Sequence, residues 1–576
     1  MEKRNGNFAD FDAEDKTIPR GPESWPSEIQ QCKVCDNPTR SFCKSCSSAF
    51  YCCKDHQKAH WKIHKNECFP IRVVVNDPSF GRLMVASQDL TQGQRILEEV
   101  PILITPNTRS ENGITCLGCC KKLTLTTAVP CIRCGWPLCG VQCDMESLHT
   151  TNECIIFKER AIQSSMGNLG NSYQTLCEIG VLRMLLLIER EPRLWKRLLK
   201  LDSFKQTRKQ VADKMFNLNS IICFIRQEVS MDIEEDLIDT AFGILRGNAF
   251  DTSDYIGFID CCSDSVRCAS VIFPTAILPG INCIPNAYYS IQGRQDGKFK
   301  IVCIASVDIA NNEPISMSYE DDLTGTFLRR RVKETVFYQN CTCKLCSDPT
   351  EYGTYISSLK CTKCKIGYLL ASNPLSLEPE WKCNNCKCSI THLKMLDTLQ
   401  KAKLKLQSCI NQTTLEKSLE SMRGVTRTLL HENHFLVLQT EIEICRRILA
   451  VIGFYEIKNI ISDVSRILEN LIEISQHLLS VVNVLRPGYN RTRGRLLYCL
   501  QFGILVSILN DQTLQEDQPS TESMAITKKM KMEQLGRVQK EAEAILSVEV
   551  DESTEEYRML KTLRGELKLA GKTIHL

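Results

Sequence analysis

The sequence predicts a multidomain α+β protein: a β-rich domain with zinc-finger and helical insertions, a zinc-bound segment that closes it, and an all-helical C-terminal domain. Three observations lead there. Cysteines and histidines recur in tight metal-ligand spacings between residues 32 and 386. Short β-branched runs punctuated by Asp-Pro, Phe-Gly and Gln-Gly fall into two stretches, split by a metal module and a helical segment, which marks insertions into one sheet domain. Beyond Ile390 both signals stop and a helical period of apolar residues takes over.

Composition narrows the function. At 576 residues and 43% hydrophobic content the chain has material for several cores. A net charge of +3 supplies no global field toward nucleic acid, so direct nucleic-acid binding is not expected. Thirty-three cysteines would suit a secreted disulfide protein, but the opening MEKRNGNFADFDAEDK is polar and lacks the apolar centre of a signal peptide. The thiols are therefore expected to hold metal in a reducing compartment, cytoplasm or nucleus. The most apolar run, Ile179 to Ile188, is far below the roughly 18 residues that span a bilayer and contains Arg183, so it reads as a buried helix and no membrane partner is expected.

The elements follow in order. Residues 1–31, polar and carrying Pro19, Pro22 and Pro26, read as a flexible tail. Residues 32–68 hold eight ligands whose interleaved pairing puts Cys32, Cys35, Cys52 and His56 on one zinc and Cys43, Cys46, His64 and Cys68 on another. Residues 70–115 give strands. Residues 116–154 repeat the double finger, with Cys116, Cys119, Cys139 and Cys143 in one set and Cys131, Cys134, His149 and Cys154 in the other. Filled sets of four leave no open position, so these metals are structural.

Residues 155–230 turn helical from about Asn168, and strand patterns return over 231–337 at SVIFPTAIL, AYYSIQG, FKIVCIASVDI and PISMSY. In 338–350, Cys341, Cys343 and Cys346 make a set of three that needs a fourth ligand from elsewhere. In 351–390, Cys361, Cys364, Cys383 and Cys386 have zinc-ribbon spacing and complete themselves. Residues 391–576 predict antiparallel helices, with Val464, Ile467, Leu468, Leu471, Ile474 and Leu478 on one stripe, a polar loop over Asp511 to Thr521, and a solvated face at Lys528 to Lys531.

The order of these parts resembles the SET-and-MYND (SMYD) family of protein-lysine methyltransferases, particularly the arthropod-type branch with an additional N-terminal MYND finger. YCCKDHQKAHWKIHKNEC is similar to a MYND module, with His56 where many have cysteine. GRLMVASQDLTQGQRIL resembles the opening SET strands, with Leu83 in place of a frequent second glycine. GNAFDT, with Asn248 and Phe250, resembles the family's internal Asn-Ala-Phe segment, and PISMSY the strand that ends in the catalytic tyrosine, here Tyr319. CTCKLCSDPTEYGTY is similar to the zinc-bound post-SET segment, and the resemblance implies Cys283 as its fourth ligand. It also implies a TPR-like C-terminal domain and S-adenosylmethionine (SAM) as cofactor, with Gly81, Arg82, Asn248, Gly280, Ile281, Tyr319 and Phe337 around it.

The chain departs from the family at one decisive place. Where the family reads Asn-His-Ser-Cys-x-Pro-Asn, this sequence reads Gly280-Ile281-Asn282-Cys283-Ile284-Pro285-Asn286. Two polar cofactor contacts are missing, each worth about 1–3 kcal/mol where the ligand group stays buried. Asn282 could restore one of them. Gln339 also replaces the aromatic residue usual before the CxC segment, which leaves Phe337 and Tyr338 to supply that wall. The resemblance thus implies methyl transfer to a histone or other protein lysine, linked to transcriptional regulation, with impaired or reshaped SAM binding. The alternative is a non-catalytic scaffold whose fingers recruit proline-containing peptides or repressor complexes.

Overall fold

The computed structural model describes residues 30–549, apart from 42, 44–48, 65–69, 78–80, 109–113, 163–171, 211–216, 253–266, 294–296, 320–322, 336–338, 411, 413, 455–463 and 514–521. The tail expected over 1–31 therefore lies almost wholly outside the described residues.

The sheet domain is assembled from small pieces. Strand Ile71–Asp77 pairs antiparallel with Gly81–Ala86, Leu103–Pro106 with Ala269–Ile272, and Lys300–Ala305 with both Ala287–Gln292 and Arg95–Glu99. Alternate residues of these strands point inward, and Met84, Ile96, Val271, Phe273, Ile301, Cys303 and Ala305 form one buried cluster. Strands from both sides of the insertions thus share a core. The two-residue strand Gly280–Ile281 runs parallel to Ser316–Met317. Parallel neighbours need a long crossover, and the hairpin of Ala287–Gln292 with Lys300–Ala305 lies within it.

The helical insertion packs on this core through Ser172–Arg190, where Ile179, Val181, Leu182 and Leu185 are buried against Ile238, Ala241 and Leu245 of Glu235–Asn248. The helical layer therefore continues to Asn248, beyond the boundary at 230 expected from sequence. Gly243 and Gly247 leave a notch in the second helix that admits the turn at Ser203 and Phe204. A Cβ at Gly243 would lie 2.1 Å from the Ser203 carbonyl oxygen, and one at Gly247 2.4 Å from the Phe204 ring.

A four-stranded sheet, Leu359–Lys360, Tyr368–Ala371, Trp381–Cys383 and Ser389–Ile390, forms the ribbon. Six helices follow among the described residues: His392–Ile410, Leu415–Thr428, Phe435–Phe454, Val464–Leu485, Arg491–Thr513 and Glu522–Glu549. On the fourth, Leu468, Leu471, Ile474 and Leu478 are buried as their spacing predicts. The loop expected from Asp511 is shorter at its start, because helix Arg491–Thr513 runs through Thr513. The last helix rests on the sheet domain: Tyr288 Oη donates to the Ile545 carbonyl at 3.2 Å and Gln292 Nε2 to that of Val548 at 2.7 Å. No helix among the described residues is long and apolar enough to cross a membrane.

Candidate functional site

Five sets of four ligand atoms converge among the described residues: Cys32, Cys35, Cys52 and His56; Cys116, Cys119, Cys139 and Cys143; Cys131, Cys134, His149 and Cys154; Cys283, Cys341, Cys343 and Cys346; and Cys361, Cys364, Cys383 and Cys386. Within each, the donor atoms all lie within 4.8 Å of one another, as a tetrahedral zinc requires. These are zinc-binding clusters. In the remaining expected set, Cys43 and His64 are buried, while Cys46 and Cys68 lie outside the described residues.

The second finger is anchored from beneath. Glu153 accepts from His149 Nδ1 at 2.8 Å, which leaves Nε2, 3.2 Å from Cys134 Sγ, as the nitrogen that faces the metal. Arg183 grips the same carboxylate with Nε at 2.8 Å and Nη2 at 2.6 Å. Burial alone would push the Glu153 carboxyl up, but Arg183 and His149 outweigh it and hold it below the usual range.

The Cys283 cluster closes a long loop. Cys283 Sγ lies 3.4 Å from Cys346 Sγ and 3.8 Å from Cys341 Sγ, although 63 and 58 residues separate them in sequence. Three residues upstream, the Gly280 amide donates to the Ile315 carbonyl at 2.9 Å, and the Asn282 amide donates to that of Met317 at 3.0 Å. Asn286 fastens the same crossing: its Oδ1 accepts from the Ser316 amide at 2.8 Å and its Nδ2 donates to the Pro314 carbonyl at 2.9 Å.

Two residues past Met317 stands Tyr319, in a box of aromatic rings. Its centroid lies 5.5 Å from Phe250, inclined at 64°, and 5.7 Å from Tyr289, while Phe250 and Tyr289 meet edge to face at 5.2 Å. Such faces desolvate an amine and favour its approach through their quadrupoles. Tyr289 was missed in the sequence. Period-2 alternation shows that Tyr288 and Tyr289 face opposite sides of their strand, but not which of them meets Tyr319.

The expected cofactor residues behave unequally. At Gly280 an added Cβ would meet nothing nearer than the Ile315 carbonyl oxygen at 3.9 Å, so the backbone there is uncrowded, and Ile281 is half-buried next to it. Asn282 turns its Oδ1 to the Ile284 amide at 3.1 Å, spending its acceptor on its own turn. Arg82 and Asn248 meet on one segment instead: Arg82 donates to the Lys200 carbonyl at 2.8 Å, and Asn248 Nδ2 donates to those of Asp202 at 2.8 Å and Ile244 at 2.9 Å. Burial draws the Arg82 guanidinium below its usual range, and Asp202 opposes that shift. Gly81 begins its strand opposite Asp77. Phe337, and with it Tyr338, lies outside the described residues.

The MYND finger family matches residues 32–68. The SET domain-containing protein SmydA-8 of Drosophila melanogaster is similar in two isoforms. Isoform B is 24% identical over 385 residues, covering 65% of this chain and 80% of that protein, and isoform A is 22% identical over 369 residues, covering 64% and 76%. Among solved structures, the SET domain of LSMT bound to lysine and AdoHcy aligns over 88% of this chain and 95% of its own at 13% identity, but with a TM-score of 0.25 the superposition decides nothing.

Proposed function

We propose that this chain, a relative of the SET-and-MYND proteins, is a SAM-dependent protein-lysine methyltransferase whose cofactor floor is partly stripped of polar groups. One observation carries the reading. Tyr319 enters an aromatic box at the end of a strand paired with Gly280–Ile281, beside a four-thiolate cluster that ties down the Cys283 arm. Methyl transfer to a lysine side chain calls for that juxtaposition, an apolar aromatic lining close to an uncrowded stretch of backbone.

Bound SAM would supply a methyl group on a sulfonium. The chain supplies position and environment. Lysine is almost wholly protonated in water near neutral pH, and burial among Phe250, Tyr289 and Tyr319 favours the neutral amine that can attack. The lysine must give its proton up to solvent before it can attack, and the aromatic lining would hold it in that neutral form. Tyr319 Oη would orient the amine, and most of the acceleration comes from alignment. The backbone beside Gly280 is uncrowded, with the Ile315 carbonyl oxygen 3.9 Å from where a Cβ would stand, while Gly280 and Ile281 would offer a cofactor there no side-chain donor or acceptor.

The test is transfer of labelled methyl from SAM to a lysine-peptide library by the zinc-loaded full chain. Tyr319→Phe is expected to cut turnover about 10²-fold with little change in SAM affinity. Equal turnover in the two proteins would remove Tyr319 from the chemistry.

A second reading has its own support. Arg82 and both Asn248 amide hydrogens are committed to protein carbonyls, and Trp61 and Ile63 of the first finger are exposed, which suits a recruiting scaffold. Proline-containing peptides or repressor complexes are the partners proposed for that surface, with transcriptional regulation in cytoplasm and nucleus as the setting.

A further inference from the structure

We infer that Arg486 of the helical domain is a positioning residue for the methyl-transfer site, fixing the spacing of its two arms. The inference rests on the reading of the Gly280–Tyr319 pocket above and extends it to a residue far away in sequence.

Arg486 follows helix Val464–Leu485 directly and is 3% exposed. Its guanidinium donates through Nη1 to the Cys283 carbonyl and through Nη2 to Ser318 Oγ at 2.6 Å, reaching across 203 and 168 residues of sequence. These two acceptors stand on the two arms of the site. Cys283 is three residues from Gly280 and belongs to the four-thiolate cluster, and Ser318 immediately precedes Tyr319. The Asn282 amide bond to the Met317 carbonyl joins the arms just before them, and Arg486 then spans from one arm to the other. A planar fork with fixed donors sets the separation of its acceptors, which a lysine ammonium on a flexible stem cannot do.

The turn that presents Arg486 is itself keyed into the sheet domain. Gly488 adopts φ +80°, and a Cβ there would lie 1.9 Å from the Ser306 carbonyl oxygen, so the backbone approaches as closely as only glycine permits. The Tyr489 amide donates to that same carbonyl at 2.7 Å, and the Ser306 amide donates to the Asn286 carbonyl at 2.8 Å. The Tyr489 ring lies against Gly93, where a Cβ would be 3.0 Å from Cε2. Asn490 Nδ2 donates back to the Arg486 carbonyl at 2.9 Å. Arg486 is thus held from behind by the helical domain and from the side by the strand it helps to align.

Arg486→Lys in the full, zinc-loaded chain is the test, with Arg493→Met as comparison because Arg493 pairs with Glu541 at 2.7 Å inside the helical domain. Arg486→Lys is expected to retain wild-type zinc content, to speed hydrogen exchange at the Asn282 amide at least about tenfold, and to lower kcat about tenfold or more with peptide KM within about threefold. Arg493→Met, at equal or greater loss of melting temperature, is expected to leave exchange at Asn282 and kcat unchanged. Wild-type exchange at Asn282 together with wild-type kcat in Arg486→Lys would overturn the inference, as would an Arg493→Met variant with the same kinetic defect. A wild-type chain with no methyl transfer would instead overturn the enzymatic reading, whatever the exchange data show.

Discussion

Glu153 binds His149 and Arg183 at once, through bonds of 2.8 Å to the imidazole and 2.6 and 2.8 Å to the guanidinium, with all three side chains at most 1% exposed. The second finger is thereby joined to helix Ser172–Arg190 and is a fixed part of the sheet domain. Arg183 also donates to the Leu117 carbonyl at 2.7 Å, between two ligands of the neighbouring zinc set. Glu153→Gln is expected to weaken zinc at the Cys131 set about 10- to 100-fold, read by competition with a chelating dye. Arg183→Met, which strands the buried carboxylate, is expected to destabilise the chain by about 3–5 kcal/mol in urea unfolding. Wild-type zinc affinity in Glu153→Gln would show that the carboxylate does not tune the metal.

The missing polar floor can be restored. Because nothing lies nearer than 3.9 Å to a Cβ at Gly280, a Cβ is accommodated there without displacing backbone. Gly280→Asn with Ile281→His is expected to tighten SAM binding at least about tenfold, a conservative fraction of two recovered contacts. Unchanged affinity in calorimetric titration would mean that the cofactor does not lie against Gly280 and Ile281.

Gly488 is a point where sequence dictates docking. Replacing it with alanine forces a Cβ into a left-handed conformation and into the Ser306 carbonyl, an expected loss of about 2–4 kcal/mol. Gly424, exposed on helix Leu415–Thr428 with nothing within 4 Å, supplies the contrast. Gly424→Ala is expected to add about 0.5–1 kcal/mol. Equal melting temperatures for the two variants would contradict the close approach.

Stability should fall as pH rises toward neutrality because of Glu99. Burial pushes its carboxyl up to about 7, against bonds from the Thr275 amide at 2.9 and 3.1 Å, the Ala276 amide at 2.9 Å, and Arg197 at 4.0 Å. A folded pKa above the ordinary 4.5 means that the protonated form is favoured in the fold. That contribution is complete below 4.5 and is lost as pH climbs to about 7, in total about 3 kcal/mol. Urea unfolding from about pH 5.5 to 8 with excess zinc should show the decline, and Glu99→Gln should flatten it. The same slope in both proteins would assign it to other groups.

Much of this was readable in the sequence, for reasons of range. Cys-x-x-Cys pairs are local, so the interleaved sets of the second finger and the self-contained ribbon are the sets the structure brings together. The stripe on helix Val464–Leu485 is local too. Cys283 was reached only through resemblance, since spacing cannot name a ligand 58 residues away. Arg486 carried no pattern at all, because its role lies in two acceptors on another domain. Arg82 and Asn248, expected to face a cofactor, donate to the Lys200 and Asp202 carbonyls. The notch at Gly243 and Gly247 brings that turn within reach, and its meaning appears only once Phe204 is seen to fill it.

In the proposed enzyme, SAM lies against the Gly280 backbone beside Tyr319. Calorimetric titration of SAM into the zinc-loaded full chain measures it most directly. Saturable heat with a dissociation constant below about 1 mM, matched by a rise in melting temperature, is the expected result. No heat and no thermal shift at about that concentration would contradict it and leave the scaffold reading standing.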